Sequence, residues 1–345
     1  MSKDKLKVNL YDIGASWILG KFNRRMMDEL IKMGIDAKIS DKYDASADIN
    51  HYPLYSFVDY TNQKHPVDTF MITHVDSASK VDMLRKRLTR YGMGICMSKY
   101  TMDFLTSCGC PREKLCYVNP AHDHIIKPRK YVVGMTYRIN DDHRRRDELL
   151  IDIAANINKD MFRFVIMGSG WEVIVEKLEA MGIEVQYYND FDYDIYTKIV
   201  PEFDFYLYYG YDEGNMGTLD ALAAGVETIV TPQGFHLDAK NAITYPCEEL
   251  DDFIQAFKEI EDRRKNRVDS VETWTWEAYT KKHVEIWRYL LGYDSLAETF
   301  SNRGRYSDGI FSVLPKEIDD NPNIASEVEN RHYKNAIKHI ISEKL

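Results

Sequence analysis

The sequence predicts an α/β protein built from two successive parallel-sheet units. Three observations carry this. Short apolar runs with strand composition alternate with stretches of helical periodicity, the pattern of parallel strands joined by helical crossovers. That rhythm restarts after the polar, proline-containing stretch Lys127-Pro128-Arg129-Lys130, which reads as a linker. The 345 residues also exceed what one hydrophobic core usually organises.

In the first unit, Lys7–Ile13 reads as a strand ending at Gly14, followed by a helix over Trp17–Met33 with a stop at Gly34. Asp36–Ile39 is a second strand. DTFMITHVD (Asp68–Asp76) is a buried strand with a polar end. GICMSKY (Gly94–Tyr100) and KLCYVNP (Lys114–Pro120) are strand-like, with a helix over Thr101–Ser107 between them. In the second unit, strands are expected at Tyr131–Thr136, Arg163–Met167, Glu184–Tyr188, Phe203–Tyr209 and Glu227–Thr231. Helices are expected at Arg146–Asn158, Trp171–Met181, Ile195–Pro201 and Thr218–Ala224, then amphipathic ones at Leu250–Arg263 and Trp274–Leu291. A less regular tail from Gly292 holds a helical pattern at Ser326–Lys344. The expected division is therefore residues 1–126, 127–291 and a tail over 292–345, giving two lobes with a cleft between.

The apolar fraction is 44% and the charged fraction 29%, as in ordinary soluble domains. No apolar run approaches the roughly 18 residues of a membrane helix. The N-terminus enters a strand pattern without a signal-peptide core, so a cytoplasmic protein is the expectation. A net charge of −10 argues against a nucleic-acid partner. The five cysteines are an odd number, and four of them lack the C-x2-C spacing of most structural zinc sites, so no metal is expected.

The stretch that carries chemistry is YDEGNMGTLDALAAG, Tyr211–Gly225. It follows an expected strand, and in an open parallel sheet ligands sit beyond the carboxyl ends of strands. Gly214 and Gly217 permit close backbone approach. A helix beginning near Gly217-Thr218 offers free N–H groups and the positive end of its dipole to a diphosphate. Asp212, Glu213 and Asp220 offer acceptors to sugar hydroxyls. Donors for phosphate and acceptors for hydroxyls are the two needs of a nucleotide-sugar. A helix-capping turn without a ligand is the plainer alternative.

DEGNMGTLDALAAGVETIVTP resembles the C-terminal-domain signature of GT-B glycosyltransferases, in particular the large retaining family 4 (group 1) type. That family shows Glu-x7-Glu, then small residues, Gly-Val and a strand. Asp220 stands at the second Glu, five residues before Gly225. Asp212 keeps the seven-residue gap, whereas Glu213 keeps the Glu-Gly pair with Gly214, so either could be the first acid. The resemblance implies two Rossmann-like domains whose parallel sheets face across a cleft. It also implies a first acid on the transferred sugar and Asp220 on the ribose. YVVGMTYRINDDHRRRDELL resembles the segment in which an Arg and a Lys neutralise the donor diphosphate. Arg138 matches the first, and one of Arg144, Arg145 and Arg146 the second, with Arg145 or Arg146 favoured. FVIMGSGW resembles the strand-to-glycine turn at Gly168, and PQGFH the loop beneath the donor. The implied donor site is thus Gly14, Arg138, Arg145, Arg146, Gly168, Asp212, Glu213, Gly214, Asn215, Met216, Gly217, Thr218 and Asp220.

In the first unit, Gly14-Ala15-Ser16 resembles the glycine turn near donor phosphate and acceptor. MITHVDSASK resembles the segment whose His, here His74, faces the reaction centre. The implied catalytic groups are His74, Arg138, Arg146 and Glu213. Asn119-Pro120-Ala121-His122-Asp123 departs from the family's Asn-Gly-Val-Asp. KVDMLRKRLTRYGMG (residues 80–94) interleaves basic and apolar residues. In membrane-associated members this region is a basic amphipathic helix on anionic lipid, and the alternative is an ordinary surface helix. The expected activity is sugar transfer from a UDP- or GDP-linked donor, a substrate rather than a cofactor, with retention and without metal. The acceptor would be a surface glycan or lipid-linked saccharide, with peripheral contact at the inner membrane face through residues 80–93. A phage-type DNA-modifying transferase and a non-catalytic binder of nucleotide-sugars or glycans stand as alternatives.

Overall fold

The computed structural model of the chain describes residues 6–12, 14, 18–58, 64–140, 144, 146–211 and 214–293. Arg145, Asp212, Glu213, Ala15, Ser16 and the helical pattern at 326–344 lie outside them. Along the chain run β1 (Lys7–Tyr11), α1 (Ile18–Lys32), β2 (Asp36–Ser40), β3 (Ile49–Tyr52), β4 (His65–Ile72), α2 (Ala78–Leu88), β5 (Tyr91–Cys96), α3 (Lys99–Ser107) and β6 (Leu115–Tyr117). Next come β7 (Tyr131–Met135), α4 (Leu149–Ala155), β8 (Phe162–Met167), α5 (Glu172–Ala180), β9 (Glu184–Tyr188), α6 (Tyr193–Ile199), β10 (Phe205–Tyr208), α7 (Met216–Ala223), β11 (Glu227–Val230), α8 (Phe235–Asp238), β12 (Tyr245–Pro246) and α9 (Leu250–Asp269). The last described helix is α10 (Trp276–Leu290). Packing divides the chain into one unit up to Ile125 that also takes in the chain from Glu272, and a second unit over Ile126–Val271.

The first unit is a six-stranded parallel sheet in the order β2-β1-β3-β4-β5-β6. Side chains alternate between its faces, as strand geometry requires. Val8, Leu10 and Met71 meet α1 and α10, whereas Phe70 and Ile72 join the core beneath α2 and α3. Phe22, Met26 and Leu30, four residues apart, form the buried stripe of α1. Tyr279, Ile286 and Trp287 do the same for α10, so this helix completes the first core although the second unit precedes it. Trp287 is fully buried and its Nε1 donates to Thr69 Oγ1 at 2.9 Å.

The second unit repeats the design in the order β12-β11-β10-β7-β8-β9, again all parallel. The chain builds β7, β8 and β9 to one side, then returns to place β10 on the free side of β7. The strand order therefore reverses between β7 and β10, the point where open α/β sheets form ligand crevices.

Three sequence expectations shift. Strand character over Gly94–Tyr100 stops at Cys96, because the Ser98 hydroxyl accepts from Thr101 N and caps α3. The expected helix over Arg146–Asn158 begins only at Leu149; Arg146 has φ 51°, which no right-handed helix admits. Arg146 therefore stands ahead of the helix rather than in its first turn. The helix expected from Thr218 starts earlier, at Met216, behind an Asn215 cap.

Candidate functional site

The carboxyl ends of β7 and β10 lead into Thr136-Tyr137-Arg138 and Tyr209-Gly210-Tyr211. Tyr206 on β10 sends its hydroxyl to this edge, where it lies 3.0 Å from Thr136 Oγ1 and donates to Asn215 Oδ1 at 3.1 Å. Asn215 Oδ1 also accepts from Gly217 N at 3.1 Å, the N-cap bond that starts α7. A Cβ on Gly217 would fall 2.1 Å from Tyr206 Oη and 2.2 Å from Thr136 Oγ1, so only glycine lets α7 dock here. Asn215 is 4% exposed and Thr218 1%. Asn215 Nδ2 and Thr218 Oγ1 are buried without a partner among the described residues. Such groups are costly unless a ligand or solvent meets them. Gly214 and Met216 are exposed beside them.

The neighbouring loops are tied to the same edge. Gly168, just past β8, has φ 140°, and a Cβ there would lie 2.3 Å from the Tyr137 carbonyl. The same carbonyl accepts from Trp171 Nε1 at 2.7 Å, and Ile139 N donates to Ser169 O at 2.9 Å. The glycine loop after β8 thus fixes the path out of β7. Gln233 Nε2, from the PQGFH segment, donates to Gly210 O at 2.7 Å.

The arginines divide. Arg138 is exposed at the exit of β7. Arg146 donates to Tyr209 O (Nε, 2.7 Å), Glu248 O (Nη1, 2.6 Å) and Thr231 Oγ1 (Nη2, 2.8 Å), with Tyr211's ring 4.2 Å away. Those bonds draw on three of a guanidinium's five N–H groups. The Arg144 carbonyl accepts from Tyr211 N at 2.9 Å, which ties Arg144 to the chain leaving β10. Asp220 is exposed on α7, and its Oδ2 accepts from Tyr196 Oη at 2.5 Å.

Sequence reading missed Thr136, Tyr196 and Tyr206. Tyr206 sits inside β10 and Thr136 directly after β7, where their polar atoms look like ordinary alternation. Tyr196 lies twenty-four residues from the carboxylate it meets.

In the first unit, Gly14 and His74 follow β1 and β4 at the carboxyl edge of their own sheet. Gly14 has φ 81° and its N–H donates to Asp12 Oδ1 at 2.9 Å. His74 is exposed; its Nδ1 lies 3.1 Å from Thr73 Oγ1 and its carbonyl accepts from Tyr55 Oη at 3.1 Å. The basic stretch forms α2. There Arg87 is 5% exposed, and Arg85 donates to Cys108 O at 3.1 Å and pairs with Asp82 at 3.2 Å. Lys80 pairs with Asp76 at 2.6 Å. Three of the basic residues at 80–93, Lys80, Arg85 and Arg87, are therefore engaged in packing and internal pairs. Among the described residues no helix is long and apolar enough to cross a membrane. The five cysteines are free, and burial pushes the thiols of Cys110 and Cys247 up to about 11 and about 12, far from the thiolate a nucleophile needs.

No protein-family model matches the chain, and no curated protein does. Solved structures do align. HepE of Anabaena, crystallised with UDP-glucose, is 11% identical over 83% of this chain and 98% of its own, with a TM-score of 0.32. Sucrose-phosphate synthase of Thermosynechococcus elongatus is 10% identical over 84% of this chain and 100% of its own, at 0.35. WaaG, a glycosyltransferase of lipopolysaccharide biosynthesis, is 11% identical over 86% and 98%, at 0.33.

Proposed function

We propose that the chain is a glycosyltransferase that takes a sugar from a nucleoside-diphosphate donor and delivers it to an acceptor hydroxyl. The observation that carries this is the seat of α7. Its capped N-terminus is docked through Gly217 against the point where the second sheet reverses its strand order, with buried unpartnered Asn215 and Thr218 atoms beside it and the Asp220 carboxylate further along the same helix. Helix N–H groups suit a diphosphate and a carboxylate suits ribose hydroxyls. The motif resemblance supports the same assignment.

In the proposed reaction the bond between the anomeric carbon and the β-phosphate oxygen breaks, and its electron pair leaves on the diphosphate. The acceptor oxygen bonds to that carbon from the same face, giving retention, and its proton passes to the departing phosphate oxygen. Charge building on the diphosphate is stabilised by the α7 N-terminus, Arg138 and the anchored Arg146 cation, without metal. The first acid of the motif, Asp212 or Glu213, holds the transferred sugar. By the resemblance, Gly14 belongs with the donor-binding residues and His74 with the catalytic groups. The donor is UDP- or GDP-linked, and the acceptor a surface glycan or lipid-linked saccharide.

Incubation with UDP-, GDP-, CMP- and dTDP-sugars, with nucleoside diphosphate release as readout, tests the reading. Release from one donor, lost in Asp220→Ala and Arg138→Ala, supports it. Binding of a donor without turnover over many acceptors would point to a non-catalytic carrier, and no binding of any donor would end the proposal.

A further inference from the structure

Asp220 stands five residues beyond Asn215, the cap of its own helix. A row of hydroxyls joins the two. Tyr196 Oη donates to Asp220 Oδ2 at 2.5 Å and also meets the Thr136 hydroxyl. Thr136 Oγ1 lies 3.0 Å from Tyr206 Oη, which donates to Asn215 Oδ1 at 3.1 Å. Tyr196 is 9% exposed, so its ring is fixed by α6 packing, whereas Asp220 is exposed. Among the described residues Tyr196 is the partner that the Asp220 carboxylate has. Burial and the bond to Asp220 push the Tyr196 phenol up, so it stays a donor at neutral pH.

A carboxylate with both oxygens open can accept from two vicinal hydroxyls at once. One whose second oxygen already accepts from a fixed donor keeps a single unengaged oxygen, held in a fixed direction. We propose that Tyr196 is a positioning and specificity residue, which holds Oδ2 so that Asp220 presents Oδ1 to one ribose hydroxyl of the donor nucleotide. The inference rests on the glycosyltransferase reading and deepens it. The site reads one of the 2′- and 3′-hydroxyls and is indifferent to the other.

Calorimetric titration of whichever of UDP and GDP binds more tightly, and of its 2′-deoxy and 3′-deoxy forms, tests this. A hydrogen bond to a charged group implies that the wild type binds one deoxy form about tenfold or more weakly and the other within about twofold. In Tyr196→Phe the carboxylate is no longer aimed, and the penalty falls below about threefold with little change in melting temperature. Asp220→Asn removes the same penalty and carries the test should Tyr196→Phe not fold. A Tyr196→Phe protein that keeps the full penalty overturns the proposal. So does a wild type that loses equally from both deoxy forms, or from neither, while the donor-site reading stands. Failure of both UDP and GDP to bind the wild type removes the donor-site reading and this proposal together.

Discussion

Gly217 lies directly against Tyr206: a methyl group on its α-carbon would sit 2.1 Å from the tyrosine oxygen. The hydroxyl it would strike also holds Asn215, the cap of the helix that Gly217 opens. Packing and capping at the start of α7 are therefore one arrangement, and the proposed phosphate-binding N–H groups depend on both.

Gly217→Ala is expected to cost about 1–3 kcal/mol of stability, the usual range for overpacking a filled site. It should also abolish nucleoside diphosphate binding, since α7 must move away from the sheet edge. Urea melts and titration of the folded variant check the two parts separately.

The arginines are expected to separate structure from binding. Arg146→Ala removes donors from two carbonyls and a threonine, and at about 0.5–1.5 kcal/mol per bond should destabilise the second unit by about 2–3 kcal/mol. Arg146→Lys should rescue little, because an ammonium cannot span three acceptors in fork geometry. Arg138→Ala, at an exposed position, should alter stability by under about 0.5 kcal/mol while weakening diphosphate binding. Equal stability loss in both variants would contradict this division.

Two buried imidazoles set an acid limit. His51 on β3 and His283 on α10 lie with ring centroids 5.2 Å apart, 1% and 0% exposed, beside Trp287. His283 Nδ1 lies 2.9 Å from the Tyr279 carbonyl and His51 Nδ1 2.9 Å from Thr69 Oγ1. Burial holds His283 down at about 4, and burial with the neighbouring imidazole lowers His51. Both are neutral when folded and protonate more readily when unfolded. The stability they permit is whole above the unfolded value of about 6.5 and is lost as pH falls below it, for His283 toward about 4, at up to about 1.4 kcal/mol per pH unit for each. Urea melts at pH 7, 6 and 5 should show this slope, reduced by about one proton in His283→Gln. An unchanged slope in that variant would contradict it.

Most of the α/β rhythm was readable because apolar runs and helical stripes leave strong local signals. The strand Ile49–Tyr52 was not, since INHY places Asn50 and His51 at buried positions. Asn50 bonds to Asn9 at 2.8 Å and to Asp68 through its backbone N–H at 2.6 Å, partners far away in sequence. The same reason hides part of the site. Asn215, Gly217 and Asp220 stand together in one motif, whereas Thr136, Tyr196 and Tyr206 are joined to it only when β7 and β10 pair and α6 folds over α7. Arg146 was readable as a residue of interest but not as a left-handed one, because its φ follows from three distant acceptors.

Isothermal titration of UDP and GDP into the wild type, Asp220→Ala and Arg138→Ala tests the central claim most directly. The account predicts that the wild type binds at least one of them and that each substitution weakens binding about tenfold or more. Identical affinities in all three proteins, or no heat of binding in the wild type, would contradict it.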